Sequence, residues 1–228
     1  MRSNTISRVA QARRRRQSIL FAFAVWLPLA AEAPAQSARA ERASTLQTAP
    51  SAAVRVRRPG LTNFAMVSDQ LYRGAQPKDD SFAELKKLGI DIVVNLRHET
   101  DEISRERNLV EAQGMRYVSI AWRGKENPKT EQVAQFLGLL RENPDRKVFV
   151  HCERGAERTG VMVACYRLSS EHWTPEQALD EMETFSFRGL WFGHLKRFVR
   201  EFPTLLLRDP FLRNIAQPGS ALIPVAAH

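Results

Sequence analysis

A chain of 228 residues, 43% hydrophobic and 26% charged, has the material for one comfortable domain with a real core. Its formal net charge of +9 would ordinarily raise nucleic acid or an anionic membrane as partners. The distribution excludes a nucleic-acid face on the folded part: residues 1–58 hold eleven arginines against Glu32 and Glu41, while from Pro59 onward 23 basic residues meet 23 acidic ones.

The first segment reads as an export signal. Arg13 to Arg16 form a basic run, Ile19 to Ala31 is apolar except for Pro28, and Ala33-Pro34-Ala35 offers a small-residue cleavage site. The apolar run is 13 residues, short of the ~20 that a spanning helix needs, so residues 1–35 are expected to be removed rather than to anchor the chain. The mature protein is then periplasmic or secreted, with no stable membrane insertion. Residues 36–59 lack a sustained apolar period and read as a flexible leader. A folded domain over 60–205 and a tail over 206–228 complete the expected organisation.

Within the domain, Phe64 to Tyr72 reads as a strand and turn. Ser81 to Leu88 places Phe82, Leu85 and Leu88 at helical spacing and is closed by Gly89. Ile90 to Leu96 is nearly continuous in apolar character, as in a strand covered on both faces. A charged helix over Glu102 to Gln113 follows, ended by Gly114, then a strand over Met115 to Ile120 and a loop over Ala121 to Lys129. Thr130 is expected to cap a helix through Arg141, stopped by Asn143-Pro144-Asp145. Lys147 to Val150 is a short strand that delivers into His151-Cys152. Val161, Met162, Ala164, Cys165 and Leu168 lie on the helix after it. Thr174-Pro175-Glu176-Gln177 combines a Thr cap, Pro at the first helical position and Gln three residues after the cap. A last helix covers Leu190 to Phe202. Strands alternating with helices make this an α/β domain with a central, mostly parallel sheet flanked by helices.

The chemistry concentrates in His151-Cys152-Glu153-Arg154-Gly155-Ala156-Glu157-Arg158-Thr159-Gly160. A strand that stops at a short loop and restarts as a helix makes an anion site, because successive backbone N–H groups and the helix N-terminus point at one spot. A phosphate would bind to the loop residues Glu153, Arg154, Gly155, Ala156 and Glu157, closed by Arg158. The same dipoles, with Arg158, favour the nucleophilic thiolate of Cys152. Arg158 holds two phosphate oxygens through its planar fork. Gly155 removes a side chain where the backbone turns, Thr159 brings a hydroxyl toward the sulfur as a leaving group, and Gly160 allows the helix to pack closely on the sheet. At ordinary residue abundances this pattern arises by chance roughly once in a million positions. Cys165, about 12 Å further along the helix axis, is out of disulfide reach of Cys152 and reads as a buried small hydrophobe.

His-Cys-x-x-Gly-x-x-Arg-Thr-Gly resembles the signature of the protein tyrosine phosphatase superfamily in its dual-specificity branch. Leu71-Tyr72-Arg73-Gly74-Ala75-Gln76-Pro77, Val93-Val94-Asn95-Leu96-Arg97, and Trp173 with Glu181-Met182 resemble the plant, fungal and bacterial group of small atypical members. The resemblance covers about residues 60–202. It implies a cysteine phosphatase-like fold and a two-step reaction through a phosphocysteine, with no metal and no cofactor. It also implies that His151 supports the loop and the thiolate.

The family's usual acid, an Asp on the loop before the penultimate helix, is absent. Glu126 is the carboxylate in that loop and the candidate acid, with Asp101 and Glu99 as outside candidates; a solvated loop charge is the alternative for Glu126. Arg73 and Arg97 either face the anion from neighbouring strand ends or make structural ion pairs. Trp122, Trp173 and Trp191 read as packing residues.

The expected substrate is a phosphorylated protein or a small phosphate ester, handled by a monomer. Glu153 and Glu157 in the loop lean against the most anionic substrates, leaving inositol phosphates as an alternative. A rhodanese-type sulfurtransferase and a catalytically weak phospho-binding module are the readings from other classes.

Overall fold

The computed structural model describes residues 51–98 and 101–216. The expected signal peptide, the first part of the leader, and Glu99 lie outside the described residues.

The described strands form a five-stranded sheet in the order β1-β2-β5-β3-β4. They are β1 (Ala65–Met66), β2 (Leu71–Ala75), β3 (Ile90–Asn95), β4 (Arg116–Ser119) and β5 (Lys147–Cys152). Only the β1–β2 pair is antiparallel; β2–β5, β5–β3 and β3–β4 are parallel. The helices are α1 (Phe82–Lys87), α2 (Asp101–Ala112), α3 (Thr130–Glu142), α4 (Glu157–Ser170), α5 (Pro175–Thr184), α6 (Gly193–Arg208) and α7 (Pro210–Ala216).

Side chains alternate across a strand, and β5 shows how this builds two cores. Val148, Val150 and Cys152 join the larger cluster, which also holds Phe136 and Leu137 of α3, Val161 and Cys165 of α4, Met182 of α5 and Phe202 of α6. Phe149 faces the other way, against Phe64, Tyr72, Phe82, Val93, Val110 and Tyr117. The central strands are covered on both faces, which explains their unbroken apolar sequence. α4 is buried on nearly every side from Thr159 to Cys165, so it lacks the polar stripe of a surface helix.

Four local expectations change. The leader is not flexible to residue 59: Val56 N–H donates to Phe64 O (2.8 Å), Arg55 bridges Ala65, and Ala53 N–H donates to Glu181 Oε1 (2.7 Å). The contacts of Val56 and Arg55 cover backbone groups beside β1 that would otherwise be open, and the Ala53 bond ties the segment to α5. Thr130 does not cap α3. Lys129 is the cap residue, and its N–H donates to Gln132 Oε1 (2.8 Å) while Gln132 Nε2 donates to Ala121 O (2.6 Å).

The last long helix does not stop at Pro203. It continues to Arg208 because its apolar stripe, Leu195, Phe198, Val199, Phe202 and Leu206, continues. The expected tail over 206–228 begins instead with α7, where Asp209 Oδ1 accepts from Phe211 N–H (2.9 Å) and Leu212 N–H (3.3 Å) and Leu212 is buried. The Thr174 cap is as expected: its hydroxyl accepts from Gln177 N–H and Gln177 Oε1 accepts from Thr174 N–H.

Candidate active site

Strand β5 ends at Cys152, which is 2% exposed, and α4 begins at Glu157. Between them the carbonyls of the loop are tied outward. Gln76 N–H donates to Glu153 O (3.1 Å), and Asn63 Nδ2 donates to Arg154 O and Gly155 O (3.2 Å each). Arg73 Nη2 donates to Gly155 O (2.8 Å). In a trans peptide the N–H points opposite to its carbonyl, so the N–H groups of Arg154, Gly155 and Ala156 turn into the loop's concavity. No side chain caps the N-terminus of α4, which leaves its first N–H groups for the same spot.

Gly155 is obligatory for this course. Its φ is 68°, and a Cβ there would stand 2.4 Å from the carbonyl carbon and oxygen of Gly74 on β2. Gly160 has a different role from the one expected: its Cβ position faces Met182 at 3.2 Å, so it brings α4 close to α5 and not to the sheet.

Cys152 opens into a cleft of about 420 Å³ shared with Glu153, Arg154, Glu157 and Arg158. Arg158 is positioned by two backbone carbonyls, Leu96 O (3.2 Å) after β3 and Trp122 O (3.4 Å) after β4, both accepting from Nη1. Gly124 rests on its aliphatic stem; a Cβ there would come within 3.2 Å of Arg158 Nε. Cys152 and Arg158 are therefore brought to one cleft. Thr159 is fully buried, and its hydroxyl has no hydrogen-bond partner among the described residues.

Other expected site residues take other positions. Glu126 is exposed and is not in the lining of the cleft. The turn Arg123–Glu126, closed by Glu126 N–H on Arg123 O (3.1 Å), carries its side chain outward. The side chain of Asp101 lies outside the described residues. Arg154 and Glu157 pair with each other at 2.6 Å, so the loop's extra cation and one of its two anions are mutually spent. Glu153 lies 3.9 Å from Arg158.

Arg73 does not face the anion. It is fully buried beneath the loop on the Cys152 face of the sheet. Arg97 Nη1 donates to Gln76 Oε1 (2.6 Å) at the end of β3. Trp122 is buried and Trp173 packs on the Arg167 guanidinium at 4.2 Å, but Trp191 is 81% exposed and packs on nothing of substance. The turn gives the inward place to Phe192, which meets Phe187 and lines the cleft.

Sequence reasoning missed the anchor of His151. His151 Nε2 lies 2.7 Å from Glu106 Oε1, and Glu106 Oε2 accepts from Asn95 Nδ2 and Gln76 Nε2 (2.9 Å each). Burial pushes the Glu106 carboxyl up, but the charge and hydrogen bond of His151, the Gln76 bond and the Arg97 charge together hold it below its ordinary value. The available signal was spacing: Glu106 lies one helical turn before the buried Val110 and shares its face. Asn63 was also missed; its φ of 55° is one that asparagine tolerates. So were Arg123 and Lys125, which line the cleft across from the loop and add two cations that loop composition alone does not contain.

The family described as a DSP-PTPase phosphatase fused to NAD+ kinase matches residues 59–196. The chain belongs to the dual-specificity branch of the protein tyrosine phosphatases. This phosphatase is 30% identical over 163 residues to inositol diphosphatase DSP3 of Arabidopsis thaliana, covering 68% of this chain and 77% of the relative. The crystal structure of TpbA from Pseudomonas aeruginosa superposes with a TM-score of 0.58 at 26% identity, over 68% of this chain and 95% of that one. A Cys-to-Ser variant of TpbA in complex with phosphotyrosine gives a TM-score of 0.60 at 24% identity, over 73% and 99% of the two chains, and shares the fold.

Proposed function

We propose that this phosphatase hydrolyses phosphate esters through a phosphocysteine on Cys152. The observation that carries the reading is that Cys152 and Arg158 share one cleft, below N–H groups that three tied-back carbonyls turn inward. The Cys152 sulfur attacks phosphorus, forming the P–S bond as the bond to the leaving oxygen breaks. Arg158 and the loop N–H groups hold the equatorial oxygens, whose charge rises in the transition state. Water then attacks phosphorus, the P–S bond breaks, and Thr159 donates to the departing thiolate.

The leaving oxygen is the limiting point. Among the described residues the carboxylates in the cleft are Glu153, near Arg158, and Glu157, bound to Arg154; Glu126 stands outside it. With no carboxylic acid poised over the leaving group among the described residues, weakly basic leaving groups are favoured, such as a phenol with a pKa of about 10. Phosphotyrosine and other aryl phosphates are therefore the proposed monoesters, ahead of phosphoserine and phosphothreonine.

A second reading is favoured by Arg123 and Lys125. With Arg158 and the Arg154–Glu157 pair they give the cleft a cationic balance that suits a small molecule with several phosphates, whose leaving group is itself a phosphate. The relative named an inositol diphosphatase supports this alternative.

The test is hydrolysis of a chromogenic aryl phosphate and of inositol polyphosphates by the purified protein. Cys152→Ser is expected to abolish both activities. Arg123→Ala with Lys125→Ala is expected to reduce only turnover of the polyanion, and an equal loss on both substrates would remove the second reading. The proposal includes export: residues 1–35 are removed, which N-terminal sequencing of the secreted protein would check.

A further inference from the structure

Arg73 and Arg167 are the largest fully buried side chains of the described residues, and the fold treats them differently. Arg167 is compensated. Its guanidinium donates to both oxygens of Glu181 (2.7 and 3.1 Å) and to Glu171. Arg73 has no carboxylate within ion-pair distance among the described residues. One nitrogen donates to Gly155 O, the face lies 3.8 Å from the centroid of Phe185, and Nε and Nη1 have no hydrogen-bond partner there.

A buried cation without an ion-pair partner is costly to keep, so its retention calls for a reason. Burial lowers the Arg73 pKa to about 10, against the opposing pull of Glu181 and Cys152, which still leaves it charged at neutral pH. The register supplies the reason. Arg73 is opposite Val150 and Ala75 opposite Cys152, so alternation sends Arg73 and Cys152 to the same face of neighbouring strands. Phe185 closes the way out, with Arg55 on the same ring at 5.5 Å.

Other charges also face Cys152. His151 is on its own strand, with Glu106 of α2 behind it. Around the cleft are Glu153, Arg154, Glu157 and Arg158, and opposite them His98, Arg123 and Lys125. Those cleft groups border solvent, where water screens their charge; Arg73 acts from the dry side.

We propose that Arg73 is a positioning residue of the catalytic loop: it holds the Gly155 carbonyl outward, so that the loop N–H groups face the anion. Phe185 holds its guanidinium flat in that place. The proposal rests on the assignment of Cys152 as the nucleophile, and its test reads the thiol without turnover.

The experiment follows alkylation of Cys152 by iodoacetamide across pH, by peptide mass, with and without inorganic phosphate as a protectant, in the parent, Arg73→Met and Arg73→Lys. Arg73→Met is expected to weaken protection by phosphate about tenfold. Arg73→Lys keeps the charge without the planar fork. Protection by phosphate is expected to remain weakened in it.

Circular dichroism establishes that each variant is folded. A folded Arg73→Met with the parent's phosphate protection would overturn the proposal. Should Arg73→Met not fold, unchanged phosphate protection in Arg73→Lys overturns it equally. If instead the parent itself shows no phosphate protection of Cys152, the proposed function fails and not the role of Arg73 alone.

Discussion

His151 Nε2 and Glu106 Oε1 lie 2.7 Å apart with both side chains buried, so the residue before Cys152 is anchored from helix α2 across the sheet. Glu106 also accepts from Asn95 and Gln76, which ties the ends of β3 and β2 to the end of β5. One carboxylate thus fixes three strand ends around the catalytic loop.

Glu106→Ala leaves those donors without an acceptor and is expected to lower stability by about 3–5 kcal/mol. Urea unfolding measures it. The carboxyl is held below its ordinary 4.5, so its stabilisation is complete above that pH and is lost as pH falls through the lower folded value. Glu106→Gln should therefore show a flatter decline of stability in the acid range below 4.5 than the parent.

Gly155→Ala is expected to cost about 1–3 kcal/mol from the positive φ alone. The clash with Gly74 at 2.4 Å comes in addition, and because it moves the loop, activity should fall more than stability. Comparing the thermal midpoint with kcat/KM on an aryl phosphate separates the two.

Arg158→Lys keeps the charge but loses the fork and the alignment by Leu96 O and Trp122 O. A fall in kcat of about 100-fold or more with a nearly unchanged thermal midpoint is expected. Steady-state kinetics beside a melting curve check it.

Cys165 is fully buried, and burial pushes its thiol well above the ordinary range. Alkylation at neutral pH should label Cys152 and leave Cys165 unmodified until the protein is unfolded. Cys165→Ala should retain full activity, with a loss of stability of about 1 kcal/mol for the small cavity.

The strand-loop-helix around Cys152 was legible in the sequence because apolar period, glycine position and the Cys-to-Arg spacing all act locally. Ile90 to Leu96 and Lys147 to Val150 read as strands for the same reason. What sequence could not supply was side-chain reach across the fold. Glu106 looks like one more charge on a polar helix until the sheet brings His151 to it, and Arg73 looks like a strand-end anion ligand until Phe185 and Gly155 enclose it. The last long helix runs past Phe202 and through Pro203, because burial of Phe202 and Leu206 on one face outweighs the local disruption. Trp191 shows the reverse error: a large apolar residue need not face the core.

The central claim is that Cys152 carries the phosphoryl group. Its most direct measurement is peptide-mass mapping of the enzyme acid-quenched during turnover of an aryl phosphate. A phosphate adduct confined to the peptide containing Cys152, and missing in Cys152→Ser together with activity, is the predicted result. Turnover in Cys152→Ser at the parent rate, or an adduct on another residue, would contradict it.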